Sequence, residues 1–354
     1  MTGKTKSNTM LAAVLTNPGE NFSLQIVEKP KPSPADDEIL VRLNVTGLCH
    51  SDLHLMLADW SDFRTTSQTV GHEGAGVVEE VGAKVTGWKV GDRAGVKPIS
   101  HVCHACTACM DGKEMFCPAA RFTGINMDGT YQQYIAVPAA YASRIPDGVD
   151  DFDAAPIMCS GTTAYHSLRA SGLVVGQWAV FPGAGGGVGH MALQMARAMG
   201  LRCVAIDGGE DKRGLCLGLG AEEYVDFTKD DVVARVKDIT GGGAHGVIVT
   251  ASHPSSYTQA MELVRVGGIV MCLSMPTSGK VIAGADPTTM CGMGLTVKGT
   301  MVGTLGDCAG ALDLAARGLL RPRVTKFKMS EIPQAVDMLR RGEIAGRAVV
   351  DLWA

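Results

Sequence analysis

Between Ile39 and Val45, the apolar residues Val41, Leu43 and Val45 alternate with Arg42 and Asn44. That two-residue period predicts a strand with one face in a core and the other in water. Gly74–Val78 and Gly91–Val96 read as further short strands broken by glycine, and the proline-punctuated stretch Lys29–Pro34 reads as a connecting loop. From about Asp153 the rhythm changes to strand, glycine, helix. Trp178–Phe181 is an apolar strand that runs into a glycine-rich turn. A helix follows, with Val188, Met191, Ala192, Met195 and Met199 at helical spacing and Gly200 as its stop. Further strands are predicted at Cys203–Ile206, Tyr224–Phe227, Val247–Thr250, Ile269–Leu273 and Leu295–Val302. Six strands with helices between most of them imply an α/β fold with a doubly wound parallel sheet. The tail adds helices near Cys308–Arg317 and Pro333–Arg341 and a last strand at Ala348–Leu352. Two domains are therefore expected. A discontinuous β-rich one comprises residues 1–155 and 303–354, and one built on the doubly wound sheet residues 156–302.

Composition narrows the function. The 354 residues exceed one ordinary core, and 46% hydrophobic residues with 45 glycines suit an α/β protein rich in tight turns. A formal net charge of −4 with no basic stripe argues against nucleic acid as a partner. No apolar run reaches the roughly 18 residues that a membrane helix needs. The segment Met1–Met10 carries lysines but neither an apolar targeting core nor an arginine-rich amphipathic pattern, so a cytoplasmic location is expected. Eleven cysteines, an odd number, then point to reduced thiols, some of them metal ligands.

Chemistry concentrates in Cys49-His50-Ser51-Asp52-Leu53-His54, directly after the alternating run. No pair within it closes a metal site, so its partners must come from elsewhere. The turn Gly183-Ala184-Gly185-Gly186-Gly187-Val188-Gly189 departs from strict Gly-x-Gly-x-x-Gly, because Ala184 takes the first glycine slot and Gly183 precedes it. A glycine run alone is equally a flexible loop. The flanking strand and helix, and Asp207 at the end of the second strand roughly 20 residues on, favour a dinucleotide site. A carboxylate there accepts from the ribose hydroxyls and repels a 2′-phosphate, which selects NAD over NADP. In Cys103-x2-Cys106-x2-Cys109-x7-Cys117, four thiolates can close a tetrahedral structural zinc site. The rival is an iron–sulfur cluster, suggested by Pro118. Ferredoxins, however, place about three residues before the last cysteine, and this run has seven. His101 and His104 are alternative ligands that the four sulfurs make unnecessary. Gly71-His72-Glu73-Gly74-Ala75-Gly76 and Cys159 are each weak alone, since a single His or Cys is more often a satisfied core residue. With Cys49 they form a Cys-His-Cys set, which suits a catalytic zinc with an open position.

Together these motifs resemble the zinc-dependent medium-chain dehydrogenases, most closely the tetrameric yeast-type alcohol dehydrogenases. Met158-Cys159-Ser160-Gly161, Ile206-Asp207-Gly208-Gly209 and Gly346-Arg347-Ala348-Val349-Val350-Asp351 extend the similarity to nearly the whole chain. The resemblance implies a GroES-like catalytic domain, with a structural zinc lobe at residues 101–118, and a Rossmann domain. It implies two zinc ions per subunit, NAD, a small alcohol, aldehyde or ketone as substrate, and a homotetramer. Cys49, His72 and Cys159 would hold the catalytic zinc, with Glu73 close by and Asp52 orienting His72. Ser51 would touch the substrate oxygen, and His54 would end a proton path through the cofactor ribose. His50 and Arg347 would meet the pyrophosphate. Gly183, Gly185, Gly186, Gly187, Val188, Gly189, Asp207, Lys212, Leu273 and Met275 would line the cofactor site.

One departure bears on the substrate. The yeast-type enzymes that favour very small alcohols narrow their pocket with two tryptophans. Trp60 matches the first, but Pro98 stands at the second, and Met275 matches another pocket residue. Losing an indole removes a large piece of wall, so a substrate bulkier than ethanol is expected, unless a neighbour refills the space. Val70, where a glycine is usual before Gly71-His72, is a smaller departure. Two rivals stand beside an alcohol dehydrogenase. One is an NADH-dependent reductase of a larger carbonyl or an activated double bond. The other is a catalytically silent protein that binds NAD and zinc, and such drift would first erode Cys49, Ser51, His54, His72 or Cys159, all of which are present.

Overall fold

In the computed structural model, residues 8–61, 63–277, 279 and 281–354 are described. Most of the lysine-bearing start, residues 1–7, lies outside them. The chain forms two compact units. One comprises Met1–Cys159, Val324–Ile344 and Ala348–Ala354, the other Ser160–Arg323 and Ala345–Arg347.

The first unit is built on the strand Glu38–Leu48, which pairs antiparallel with Gly74–Val81, Tyr134–Pro138 and Arg347–Asp351. Val41, Leu43 and Val45 are buried, whereas Arg42 and Asn44 are only partly so, as their alternation predicts. Gly74–Val81 pairs on with Arg93–Val96, and that strand with Ser143–Arg144; Val324–Lys328 completes a seven-stranded sheet. The expected loop Lys29–Pro34 begins later than the prolines suggest. Lys29 and Pro30 end the strand Ser23–Pro30, where Pro30 lies opposite Thr9 in an antiparallel hairpin. A proline is tolerated at a strand end because it needs no ladder donor there.

The second unit carries six parallel strands in the order Glu223–Asp226, Arg202–Asp207, Trp178–Pro182, Ala244–Val249, Val264–Cys272, Thr296–Gly299. Numbered along the chain this is 3-2-1-4-5-6, the doubly wound order that places ligands beyond the carboxyl ends of the central strands. Every residue of Trp178–Pro182 is buried, and each such large apolar side chain contributes on the order of 1.5–3 kcal/mol. The last strand is shorter than the predicted Leu295–Val302, because the chain leaves the sheet and Val302 adopts a left-handed φ of 52°.

The helix expected near Cys308 begins earlier, at Leu305. Thr304 caps it by accepting from the Asp307 N–H at 3.1 Å, while Asp307 accepts from the Thr304 N–H at 2.9 Å. The return to the first unit, expected from residue 303, instead begins at Val324. The physical reason is Asp307. His166 Nδ1 and Arg169 Nη1, both on the helix Thr162–Ser171, approach its carboxylate at 2.8 and 2.6 Å and tie Leu305–Ala316 to the second unit.

Candidate active site and metal centres

The hexapeptide straddles the end of the central strand and the helix His50–Leu57. Cys49 is the residue before the helix, and Asp52 at the third helical position accepts from the Cys49 N–H through Oδ2 at 3.0 Å. The cap fixes the turn at Cys49 from the strand into the helix. The other carboxylate oxygen, Oδ1, lies 2.8 Å from His72 Nδ1. Because Asp52 accepts there, Nδ1 carries the proton and Nε2 is left as a ligand atom.

Ligand atoms of Cys49, His72, Glu73 and Cys159 lie within 4.8 Å of one another, and all four residues are buried. Cys159 reaches this point from a π-helical turn, Ile157–Gly161, a distortion that often re-aims a side chain at a functional site. Burial opposes a charge on His72, but the Asp52 carboxylate more than offsets it and holds the imidazole well above its ordinary pKa. Two thiols and a carboxylate buried around one imidazole form a donor set poor in positive charge. A divalent cation fits it, and the two sulfurs with one nitrogen suit zinc.

Cys103, Cys106, Cys109 and Cys117 also converge within 4.8 Å, in a lobe of the same unit. Backbone N–H groups already point at sulfur: Cys106 donates to Cys103 Sγ at 3.3 Å and Cys103 to Cys117 Sγ at 3.4 Å. Backbone donors from Ala105 and Cys106 pull the Cys103 thiol down to about 6, whereas burial and the neighbouring thiols push Cys109 up to about 12. Four sulfurs, with neither His101 nor His104 in the set, leave no room for a substrate, so this centre fits structural zinc.

Ser51 and His54, expected on a proton path, are three residues apart on one helix and share a face. His54 Nδ1 lies 2.8 and 3.0 Å from the two Asp59 oxygens, and its ring stacks on Trp60 with centroids 4.7 Å apart. Asp59 was not singled out by sequence reasoning; an acid just past a helix that ends at an αL residue, Ala58, was the available signal. Trp60 and Pro98 are buried in this unit, and His50 is exposed.

Apart from His50, the residues expected to line the cofactor site lie in the second unit. Gly183 follows the strand Trp178–Pro182 with φ +80°, and a Cβ there would meet the Ala251 Cβ at 2.7 Å. Gly189 opens the helix Gly189–Ala198, one residue later than Val188, and a Cβ on it would meet the Gly183 carbonyl at 2.3 Å. Asp207 ends the strand Arg202–Asp207. Its Oδ2 accepts from the Gly185 N–H at 2.8 Å, and its Oδ1 meets Lys212 Nζ at 2.9 Å. Around Gly187 the backbone is bare, and a Cβ there would come within 2.8 Å of Arg347 Nη1. A bare turn, a helix N-terminus and a guanidinium together suit a pyrophosphate. Gly186 and Val188 complete the turn, while Leu273 and Met275 follow the strand Val264–Cys272.

One unit with two cysteine-based metal centres and one with a doubly wound dinucleotide sheet define a zinc-dependent, nicotinamide-linked oxidoreductase. Residues 35–147 match the alcohol dehydrogenase GroES-like domain family and residues 187–317 the zinc-binding dehydrogenase family. The chain belongs to the zinc-dependent medium-chain dehydrogenase superfamily. It is 42% identical over 343 residues to an alcohol dehydrogenase of Schizosaccharomyces pombe, covering 97% of each chain. Alcohol dehydrogenase 1 of Neurospora crassa is 42% identical over 340 residues, covering 92% of this chain and 96% of its own. Among solved structures, the alcohol dehydrogenase of the archaeon Aeropyrum pernix superposes with a TM-score of 0.88 at 27% identity, covering 97% of this chain and 100% of its own. Acetophenone reductase from Geotrichum candidum, solved in complex with NAD, gives a TM-score of 0.85 at 26% identity over 98% of each chain.

Proposed function

We propose that this chain is an NAD-dependent zinc alcohol dehydrogenase that interconverts an alcohol and its aldehyde or ketone, and that its substrates are bulkier than ethanol. The observation that carries the reading is the buried convergence of Cys49, His72, Glu73 and Cys159, with Asp52 behind His72. Cys49, His72 and Cys159 would hold a zinc ion that would serve as a Lewis acid for the substrate oxygen, and NAD would serve as the hydride acceptor. The chain's own part is to move the proton. Ser51 accepts it from the substrate hydroxyl while releasing its own hydroxyl proton toward His54, which takes it up at Nε2, because Nδ1 is committed to Asp59. Partial exposure of His54 then allows exchange with solvent.

Asp207 supports NAD over NADP, since a carboxylate at the end of the second strand would repel a 2′-phosphate. Pro98 in place of an indole supports a wider pocket, and the acetophenone reductase shows that this fold can serve an aromatic ketone. A homotetramer acting in the cytoplasm completes the reading, and light scattering coupled to gel filtration checks the assembly. The central experiment is a screen of alcohols and carbonyls of graded size with NAD(H) and NADP(H), alongside zinc analysis. The expected result is two zinc ions per chain, NAD-linked turnover, and kcat/KM rising from ethanol toward larger alcohols. A clear preference for ethanol refutes the wider pocket, and a preference for NADP refutes the role of Asp207. Turnover confined to NADH-driven reduction of an activated double bond refutes the alcohol reading. One zinc per chain with no turnover refutes the enzyme.

A further inference from the structure

Asp52 is the support of His72, and its own support lies in a residue far along the chain. Oδ1 takes the His72 Nδ1–H at 2.8 Å, while Oδ2 takes both the Cys49 N–H at 3.0 Å and the Tyr131 hydroxyl at 3.1 Å. Asp52 and Tyr131 are both wholly buried. A carboxylate at this spot can only accept, so the phenol donates. The same residue also holds the backbone that leads to His72. Tyr131 N–H donates to the Val70 carbonyl at 3.0 Å, and Thr130 N–H donates to the Gly71 carbonyl at 2.9 Å. The tyrosine ring occupies the space beside Gly71, where a Cβ would fall 2.3 Å from Cδ1 and where φ is +95°. Val70, Gly71 and His72 are thus fixed by backbone and ring, and the plane of Asp52 by the hydroxyl.

We propose that Tyr131 is a positioning residue for the catalytic metal. Its hydroxyl fixes the rotation of the Asp52 carboxylate, so that Oδ1 meets His72 Nδ1 and Nε2 stays turned toward Cys49 and Cys159. The proposal rests on the reading of Cys49, His72 and Cys159 as zinc ligands. Without the phenol, Oδ2 keeps one fixed donor at a buried spot, and the carboxylate is free to rotate away from the imidazole. Groups that orient metal-bound histidines typically affect metal affinity by about 10–100-fold.

Tyr131→Phe keeps the ring and removes only the donor. The readout is zinc release to a colorimetric chelator from the doubly loaded enzyme, with the four-cysteine centre as an internal reference. The variant is expected to lose one zinc roughly tenfold faster than the wild type and the other at an unchanged rate. Its cobalt-substituted form is expected to show shifted visible bands. Tyr257→Phe, a buried tyrosine of the parallel-sheet unit that donates to the Ser274 carbonyl, is expected to change neither rate. If Tyr131→Phe fails to fold, site-specific 3-fluorotyrosine at 131 replaces it. As a stronger donor of nearly the same shape, it is expected to release zinc no faster than the wild type, and faster release overturns the proposal. Equal release rates and superimposable cobalt spectra for Tyr131→Phe and wild type overturn it as well, as does equal acceleration at both centres. A wild-type protein that binds only the four-cysteine zinc overturns the ligand assignment instead.

Discussion

His190 gives the fold an acid sensitivity that can be worked out from its contacts. It is wholly buried in the first turn of the helix Gly189–Ala198, where Nδ1 donates to the Gly186 carbonyl at 2.8 Å and Nε2 accepts from the Arg323 N–H at 3.1 Å. Only the neutral imidazole satisfies both bonds, because a protonated Nε2 would face another donor. Burial, aided by the charge of Arg347, lowers its pKa from 6.5 to about 4, although the Gly186 carbonyl pulls the other way. The unfolded chain therefore takes up a proton below about pH 6.5 while the native one stays neutral. The stability that His190 contributes is complete above that pH and is lost as pH falls from 6.5 toward 4. At 1.36 kcal/mol per pH unit, acidification from about pH 7.5 to about pH 5 costs about 2 kcal/mol through this residue, and about 3 kcal/mol once pH falls below 4. His190→Asn removes the titration while its amide can still donate to Gly186. Urea unfolding of both zinc-loaded proteins at the two pH values isolates the term, since every other acid-sensitive group acts in both. The variant is expected to start less stable, by about 1–3 kcal/mol for a lost buried hydrogen bond, and to lose about 2 kcal/mol less on acidification. Parallel losses in the two proteins would falsify the reasoning.

Arg347→Gln is expected to weaken NADH binding roughly 10–100-fold, the scale of one charge-assisted contact to a phosphate, with a smaller change in kcat at saturating cofactor. Fluorescence titration with NADH checks it, and unchanged affinity would remove Arg347 from the cofactor site. Gly47→Ala would place a Cβ 2.1 Å from Glu73 Oε2 and 3.1 Å from Glu73 Cβ, in a wholly buried setting. A loss of about 1–3 kcal/mol from overpacking is expected, seen as a lower Tm together with weaker retention of one zinc. A normal Tm with both zinc ions firmly held would show that Glu73 has room to move.

The residues proposed to carry chemistry were more legible in the sequence than the residues that support them, for a physical reason. Metal ligands are restricted to a few residue types, and the four cysteines recur at short spacing, so their grouping survives as a one-dimensional pattern. The parallel strands were equally readable, because burial on both faces writes a continuous apolar run such as Trp178–Pro182. Supporting residues carry no such mark. Tyr131 reaches Asp52 across 79 positions, and a tyrosine in Thr130-Tyr131-Gln132 resembles any half-buried strand residue. His190 reaches Arg323 across 133 positions and reads only as a polar residue in a helix. Where support is local, the sequence does record it. The Thr304–Asp307 capping box places the helix start three residues before the Cys308 suggested by apolar spacing. Asp52 belongs to both kinds. Its bond to the Cys49 N–H is a local cap that a reader of helix ends can find, whereas its bonds to His72 and Tyr131 exist only once three strand ends meet. A change at Asp52 would therefore loosen a helix start and a proposed metal ligand together. The position thus couples the stability of the strand-to-helix turn to the geometry of the proposed catalytic centre.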